Sequence, residues 1–126
     1  MTRIAFHNRT TSYLDLETDI KLAKETGYHG IICDHRKAVD YFKENSQKDL
    51  KDFVRDSGIA IFGFSNLEID LMFIDDSVLT EVKRYARLVR SMKGNFVSVT
   101  PRRDITKTPS DRDSNIRKIS ENLGIL

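Results

Sequence analysis

Four short clusters of polar side chains carry whatever chemistry this sequence can do, and each follows an apolar run. They are His7, Asn8 and Arg9; Asp34, His35 and Arg36; Asn66, Glu68 and Asp70; and Arg102 with Arg103. A neutral imidazole beside carboxylates, as His7 and His35 would be, can shuttle a proton or ligate a divalent cation. Glu68 and Asp70, spaced i, i+2, point together if their segment is extended and could then serve as acid and base. Arg9, Arg36, Arg102 and Arg103 offer forked, charge-assisted hydrogen bonds to a phosphate or carboxylate. A blander reading stands beside each: histidines at a wet rim, exposed acids and solvated loop charge. No His-x-x-x-His or comparable spacing supports a metal site, so no metal ligand and no catalytic residue is assigned. Cys33 sits in an apolar run and is expected to be a small buried side chain, and His29, ahead of the same run, a structural residue.

These clusters matter because of the elements that must hold them. Four times a helix-like stretch runs into a glycine and then a short apolar run: Gly27 before Gly30-Ile31-Ile32-Cys33, Gly58 before Ile59-Ala60-Ile61-Phe62, Gly94 before Phe96-Val97-Ser98-Val99, and Gly124 before Ile125-Leu126. Glycine past a helix supplies the left-handed backbone that ends it, and an apolar, β-branched run reads as a buried parallel strand. The spacing predicts strands over Arg3–His7, Gly30 to Cys33 or Asp34, Ile59–Phe64 and Phe96–Thr100. It predicts helices over Asp15–Thr26, Lys37–Lys43 and Ser46–Asp56, the last capped by Ser46. The strongest helical stripe starts at a cap on Asp76 or Ser77 and ends at Lys93, with Tyr85 and Met92 in the core. Asn8–Ser12, Ser65–Asp75 and Arg102–Asn115 read as polar or mixed loops, and Ile116, Ile119 and Leu123 mark a last short helix.

In both β/α barrels and open α/β sheets, ligands sit at the carboxyl ends of the strands, which is where the four polar clusters fall. The repeated units, 126 residues in all, make one domain of four β-α units, half of a (β/α)8 barrel that takes about 250 residues when complete. Parallel strands covered on one face only would leave another face wet, at about 1.5–3 kcal/mol per apolar side chain, and two open edges besides. The expectation is therefore oligomerisation, with strand four of one copy meeting strand one of another, or completion by a missing C-terminal half. An open doubly wound parallel sheet is the competing architecture, against which stands the lack of a glycine-rich loop after strand one.

Charge narrows the partners. A net charge of +2 from 21 basic and 19 acidic residues, interspersed, gives no polyanion-binding surface, so nucleic acid is not an expected partner. One cysteine, no secretory leader and no apolar run approaching about 18 residues point to a cytoplasmic protein with no membrane segment.

The order of several short motifs also resembles the N-terminal half of the xylose-isomerase-like barrels, the sugar phosphate isomerase/epimerase family that includes the endonuclease IV type of apurinic-site nuclease. The matching residues are Ile4-Ala5-Phe6-His7-Asn8 with Thr10-Thr11, Leu16 to Ala23 leading to Gly27-Tyr28, Tyr41-Phe42, Asn45-Ser46 with Asp49-Leu50, Phe64-Ser65-Asn66-Leu67, and Val97-Ser98-Val99-Thr100-Pro101. The likeness is greatest to the inositol-catabolism isomerase branch. It implies metal-assisted isomerisation or epimerisation of a sugar or polyol, with the divalent metal held by strands five to eight, so none is expected on this chain alone. It also implies that Asn8 and Asn66 occupy polar rim positions, and that Cys33 or Asp34 falls where relatives place an acidic residue.

Two functions follow. In one, the chain is the N-terminal half of an isomerase-like barrel, with His7, Asn8, Asp34, His35, Asn66 and Glu68 lining the substrate side and the metal held elsewhere. In the other it is a non-catalytic half-barrel that self-associates and binds a small anionic ligand through its arginines.

Overall fold

Four parallel strands lie side by side in chain order, β1-β2-β3-β4. The structure, a computed structural model, describes residues 2–102 and 112–125. Strand β1 (Ala5–His7) passes through a single 3-10 turn (Asn8–Thr11) into helix α1 (Leu16–Glu25). There follow β2 (Gly30–Asp34), α2 (His35–Tyr41), α3 (Gln47–Ser57), β3 (Ala60–Ile69), α4 (Asp76–Ser91), β4 (Phe96–Pro101) and α5 (Arg112–Ile125). The Asp15 carboxylate accepts the Thr18 N–H at 2.8 Å to start α1, and Ser46 and Asp49 close a reciprocal capping box on α3. Gly58, at φ 75°, then ends α3 in the left-handed region.

Every crossover advances one strand in the same direction, and right-handed crossovers of that kind place their helices on one side of the sheet. The doubly wound alternative is thereby excluded, since it must reverse its strand order to cover both faces. The chain is an α/β half-barrel. Beneath the helices Ile31, Cys33, Ile61 and Phe64 cluster with Leu16 and Ile20 of α1, Leu50 of α3, and Tyr85 and Leu88 of α4, none more than 2 % exposed. On the opposite, open face the ring of Phe96 lies flat on Gly63, where a β-carbon would overlap it. No described strand pairs with the outer edge of β1 or β4. No described helix is long and apolar enough to cross a membrane.

Several boundaries differ from expectation. Strand β3 runs to Ile69 instead of stopping at Phe64, because the register against β4 slips between Phe64 and Leu67 and absorbs Ser65 and Asn66 as an irregularity. Helix α2 starts at His35, not Lys37, because the Asp34 carboxylate accepts the Arg36 N–H and caps it. Asp75, not Asp76 or Ser77, caps α4, accepting the Val78 N–H at 3.0 Å. Helix α5 begins at Arg112 and continues through Gly124, which is therefore not a helix stop, and Ile125 begins no strand. Ile116 and Leu123, placed on the apolar stripe of that helix, are 44 % and 47 % exposed, while Ile119 is buried with Asn122, whose Nδ2 donates to the Leu71 carbonyl at 2.6 Å. Residues 103–111 of the expected loop, Arg103 among them, lie outside the described residues.

Candidate functional site

Asp34 is the centre of the polar rim. It ends β2 and caps α2, and its side chain is 3 % exposed. Its Oδ1 accepts the backbone N–H of Arg36 at 3.0 Å and the guanidinium Nε–H at 3.2 Å. Its Oδ2 accepts from Arg36 Nη2 at 3.3 Å and from Asn66 Nδ2 at 2.8 Å. The Asp34 N–H donates to Asn8 Oδ1 at 2.7 Å, tying the turn after β1 to the end of β2. Burial alone would raise the Asp34 carboxyl, but the Arg36 and Asn66 hydrogen bonds outweigh it and hold the group below its ordinary value. Asp34 is thus an ionised, fully engaged organiser, poorly suited to accept a proton from a substrate.

His7 is set just as firmly. Its Nδ1 accepts the Arg9 N–H at 3.0 Å, so that nitrogen carries no proton. In the neutral ring Nε2 then bears the hydrogen and donates to Ser65 Oγ at 2.7 Å. The direction is opposite to that of a nucleophilic Ser-His pair, where the imidazole accepts the hydroxyl proton. Here the Ser65 hydroxyl keeps its own hydrogen, which no other described residue accepts. Asn66, next to it, adopts φ 59°, a left-handed backbone that asparagine tolerates better than most residues. That conformation turns its amide onto Asp34, while its Oδ1 lies 3.4 Å from Thr100 Oγ1.

Four of the expected substrate-side residues therefore come together: Asn8 and Asn66 bond to Asp34, and His7 bonds to Ser65, the chain neighbour of Asn66. The other two do not join them. His35 packs its ring edge-to-face on Tyr85 at 4.9 Å, its Nε2 is buried without a hydrogen-bond partner among the described residues, and burial lowers its pKa. Glu68 is exposed at the end of β3 and lines, with His35, Asp70 and Arg102, a separate groove of about 560 Å³ against α4. Asp70 caps the following turn by accepting the Met72 N–H at 3.0 Å, so Glu68 and Asp70 are not an isolated acid-base pair.

The arginines do not converge as one anion site. Arg36 commits its fork to Asp34, although it shares a hollow of about 230 Å³ with Arg9. Arg102 donates to the Glu68 carbonyl at 3.2 Å in the other groove, and Arg103 is outside the described residues. His29 is structural as expected: its Nδ1 accepts the Ile4 N–H at 3.0 Å. Cys33 is fully buried, and burial pushes its thiol up to about 12, against a downward pull from the Asn8 amide.

Sequence reasoning missed two groups. Ser65 and Thr100 entered only as parts of longer motifs; a polar pair, Ser65-Asn66, interrupting an apolar strand was the available signal. The second group is a buried clamp beneath the rim. Lys37 Nζ pairs with the fully buried Asp19 carboxylate and donates to the Thr11 carbonyl at 2.6 Å, and the Thr11 hydroxyl lies 2.6 Å from Asp19 Oδ1. It fastens the turn that carries His7 and Asn8 to helix α2.

A divalent metal does not fit these residues. Among the described residues no group of three or more His, Cys, Asp and Glu side chains could hold one. Both nitrogens of His7 and both carboxylate oxygens of Asp34 are already engaged.

No protein-family model matches the chain, and no curated protein matches it. Solved structures do. The crystal structure of the probable 3-DHS dehydratase AsbF involved in petrobactin synthesis, from Bacillus anthracis, superposes with a TM-score of 0.64 at 14 % identity, covering 98 % of this chain and 48 % of that one. A xylose isomerase domain protein from Alicyclobacillus acidocaldarius superposes with a TM-score of 0.66 at 18 % identity, covering 96 % of this chain and 46 % of that one. The chain spans about half the length of these structures. Its fold is half of a TIM barrel, and its structural neighbours are xylose-isomerase-like TIM-barrel proteins.

Proposed function

We propose that this chain is the substrate-orienting half of an isomerase/epimerase-like barrel, binding a sugar or polyol by its hydroxyl and carbonyl oxygens at the rim built around Asp34. The observation that carries this reading is the His7–Ser65 hydrogen bond of 2.7 Å beside the left-handed Asn66. It fixes a hydroxyl donor on the open face, at the strand ends where barrels place their ligands. Among the described residues around Asp34 none is poised as a nucleophile or as a free carboxylate base, so their work is to bind and orient. The described residues of this rim supply neither the proton-transferring groups nor a site for a divalent metal of the kind used by xylose-isomerase-like enzymes. The likeness to the inositol-catabolism branch makes a cyclic polyol the narrower expectation, and the lone buried cysteine accords with a cytoplasmic setting. Anion binding through the arginines is the weaker reading, since Arg36 is neutralised by Asp34.

The test is a titration of the 15N-labelled chain with myo-inositol, with simple aldoses and ketoses, and with inorganic phosphate. Supporting the reading are saturable shifts at the amides of Ser65, Asn66 and Asp34 with a neutral polyhydroxy compound, lost in Ser65→Ala. Shifts with phosphate alone, centred on Arg9, or no saturable shift at all, overturn it.

A further inference from the structure

We propose that a second copy of this chain completes the barrel, in a specific register that makes the ligand rim a joint product of both copies. The argument starts from the ladder of opposed residues. Across the sheet His7 lies opposite Ile32, Ile32 opposite Gly63, and Gly63 opposite Phe96. An eight-stranded barrel of this class closes with a shear of about eight residues, so about four fall to each two-fold-related half. Continued past Phe96, the ladder must therefore reach the next copy of β1 about four residues from His7. One direction gives Thr11, which is in the 3-10 turn and past the strand; the other gives Arg3, two residues ahead of the strand, where the next residue, Ile4, already accepts the His29 N–H through its carbonyl at 2.8 Å.

That register places Phe96 opposite the second copy's Arg3, Ser98 opposite its Ala5 and Thr100 opposite its His7. Its parity is correct. His7 bonds to Ser65 on the open face and Phe96 covers Gly63 there, so an even offset keeps like faces together. The free edges also suit one another in chemistry. Residues 96–101 carry no charge and residues 3–7 carry only Arg3 and His7, so no like charges meet. Ile4 and Phe96, 56 % and 38 % exposed on these two edges, are large apolar side chains that the pairing would cover. The same edges lack the inward charges and central prolines that normally protect an open strand. Two-fold repetition uses both edges and leaves none open.

The consequence for the rim is direct. Thr100 touches Asn66 within its own copy and would stand beside His7 of the other, so the two Asp34-centred networks join into one ring. This sharing of a ligand site rests on the function proposed above; the closure itself does not.

Sedimentation of the unmodified 14.5 kDa chain should give twice that mass. An Ala5→Cys/Ser98→Cys variant should form a covalent dimer on mild oxidation, because opposed strand residues meet disulfide distances. The out-of-register Ala5→Cys/Val97→Cys variant should not. A monomer at every concentration, or covalent dimerisation of Ser98→Cys alone, which would report β4 against β4, overturns the proposal. If the cysteine variants do not fold, amide exchange in the unmodified chain decides. Protection of residues 3–7 and 96–100 that rises with concentration supports closure, and fast exchange at all concentrations refutes it. A cross-linked, in-register dimer that ignores polyols would sink the functional reading and leave the closure standing.

Discussion

His7 donates to Ser65. The Nε2–Oγ distance is 2.7 Å, and the other ring nitrogen is occupied by the Arg9 N–H, so the imidazole has no lone pair to offer the serine. The prediction is chemical inertness at a site whose composition suggests otherwise. Fluorophosphonate probes should leave Ser65 unlabelled, and long-range 1H–15N spectra should show the Nε2–H tautomer of His7. Labelling at Ser65, or an Nδ1–H ring, would mean that the pair acts as a nucleophile and base.

Below the rim, Lys37 and Asp19 form a buried ion pair completed by Thr11. Removing one member leaves the other charge buried without its counterion, which typically costs about 3–5 kcal/mol. Lys37→Met should therefore lower the urea-unfolding free energy by several kcal/mol and loosen the Asn8–Thr11 turn. Breaking the exposed Arg55–Asp52 pair by Arg55→Ala should cost less than about 1 kcal/mol. Equal effects from the two substitutions would show that the clamp is not a structural element.

The fold was legible where a local signal had a local cause. Gly27 and Gly58, both at positive φ, end helices as their positions imply, and Ser46 caps α3 with the help of Asp49. What the sequence concealed was non-local. Ser65 and Asn66 look like the end of a strand, and only the slip against β4 lets β3 continue past them to Ile69. Lys37 and Asp19 are 18 positions apart and on different helices, so neither the pair nor its burial follows from periodicity. Gly124 carries the same local signal as Gly58, yet α5 continues through it. The polar rim is legible in the sequence as a set of strand ends, but its division into an Asp34 network and a His35 groove depends on how helices α2 and α4 pack.

Acid should weaken the Asp34 network in a defined window. Its folded-state carboxyl lies below the ordinary 3.8, so on acidification the unfolded chain takes up the proton first. The contribution is complete above the ordinary value and is lost as pH falls through the folded one. The stability difference between the wild type and Asp34→Asn should thus be constant near neutrality and shrink below about pH 4. A difference that persists to pH 2 would show that the carboxylate charge is irrelevant to the network.

His35 behaves in the opposite chemical sense with a similar slope. Burial lowers its pKa from 6.5, so between that value and the folded one the unfolded chain binds the extra proton and stability decreases as the pH is lowered. His35→Phe should remove this dependence below about pH 6.5 while keeping the edge contact with Tyr85. Because Nε2 of His35 is buried without a hydrogen-bond partner among the described residues, His35→Phe should be neutral or stabilising at pH 7, by up to about 1–3 kcal/mol. A clear loss of stability would reveal a partner for that nitrogen.

Gly63 and Phe96 supply a test of the open face itself. A β-carbon at Gly63 would overlap the Phe96 ring, which must then lift away from the sheet. Gly63→Ala should cost about 1–3 kcal/mol, the usual range for overpacking. Since the obstacle is a side chain on an edge strand and not backbone, Phe96→Ala should recover much of that loss, and the two substitutions should be strongly non-additive in a double-mutant cycle. Additive losses would mean that the ring does not rest on Gly63, and the flat apolar floor from which β4 meets a neighbouring strand would have to be discarded.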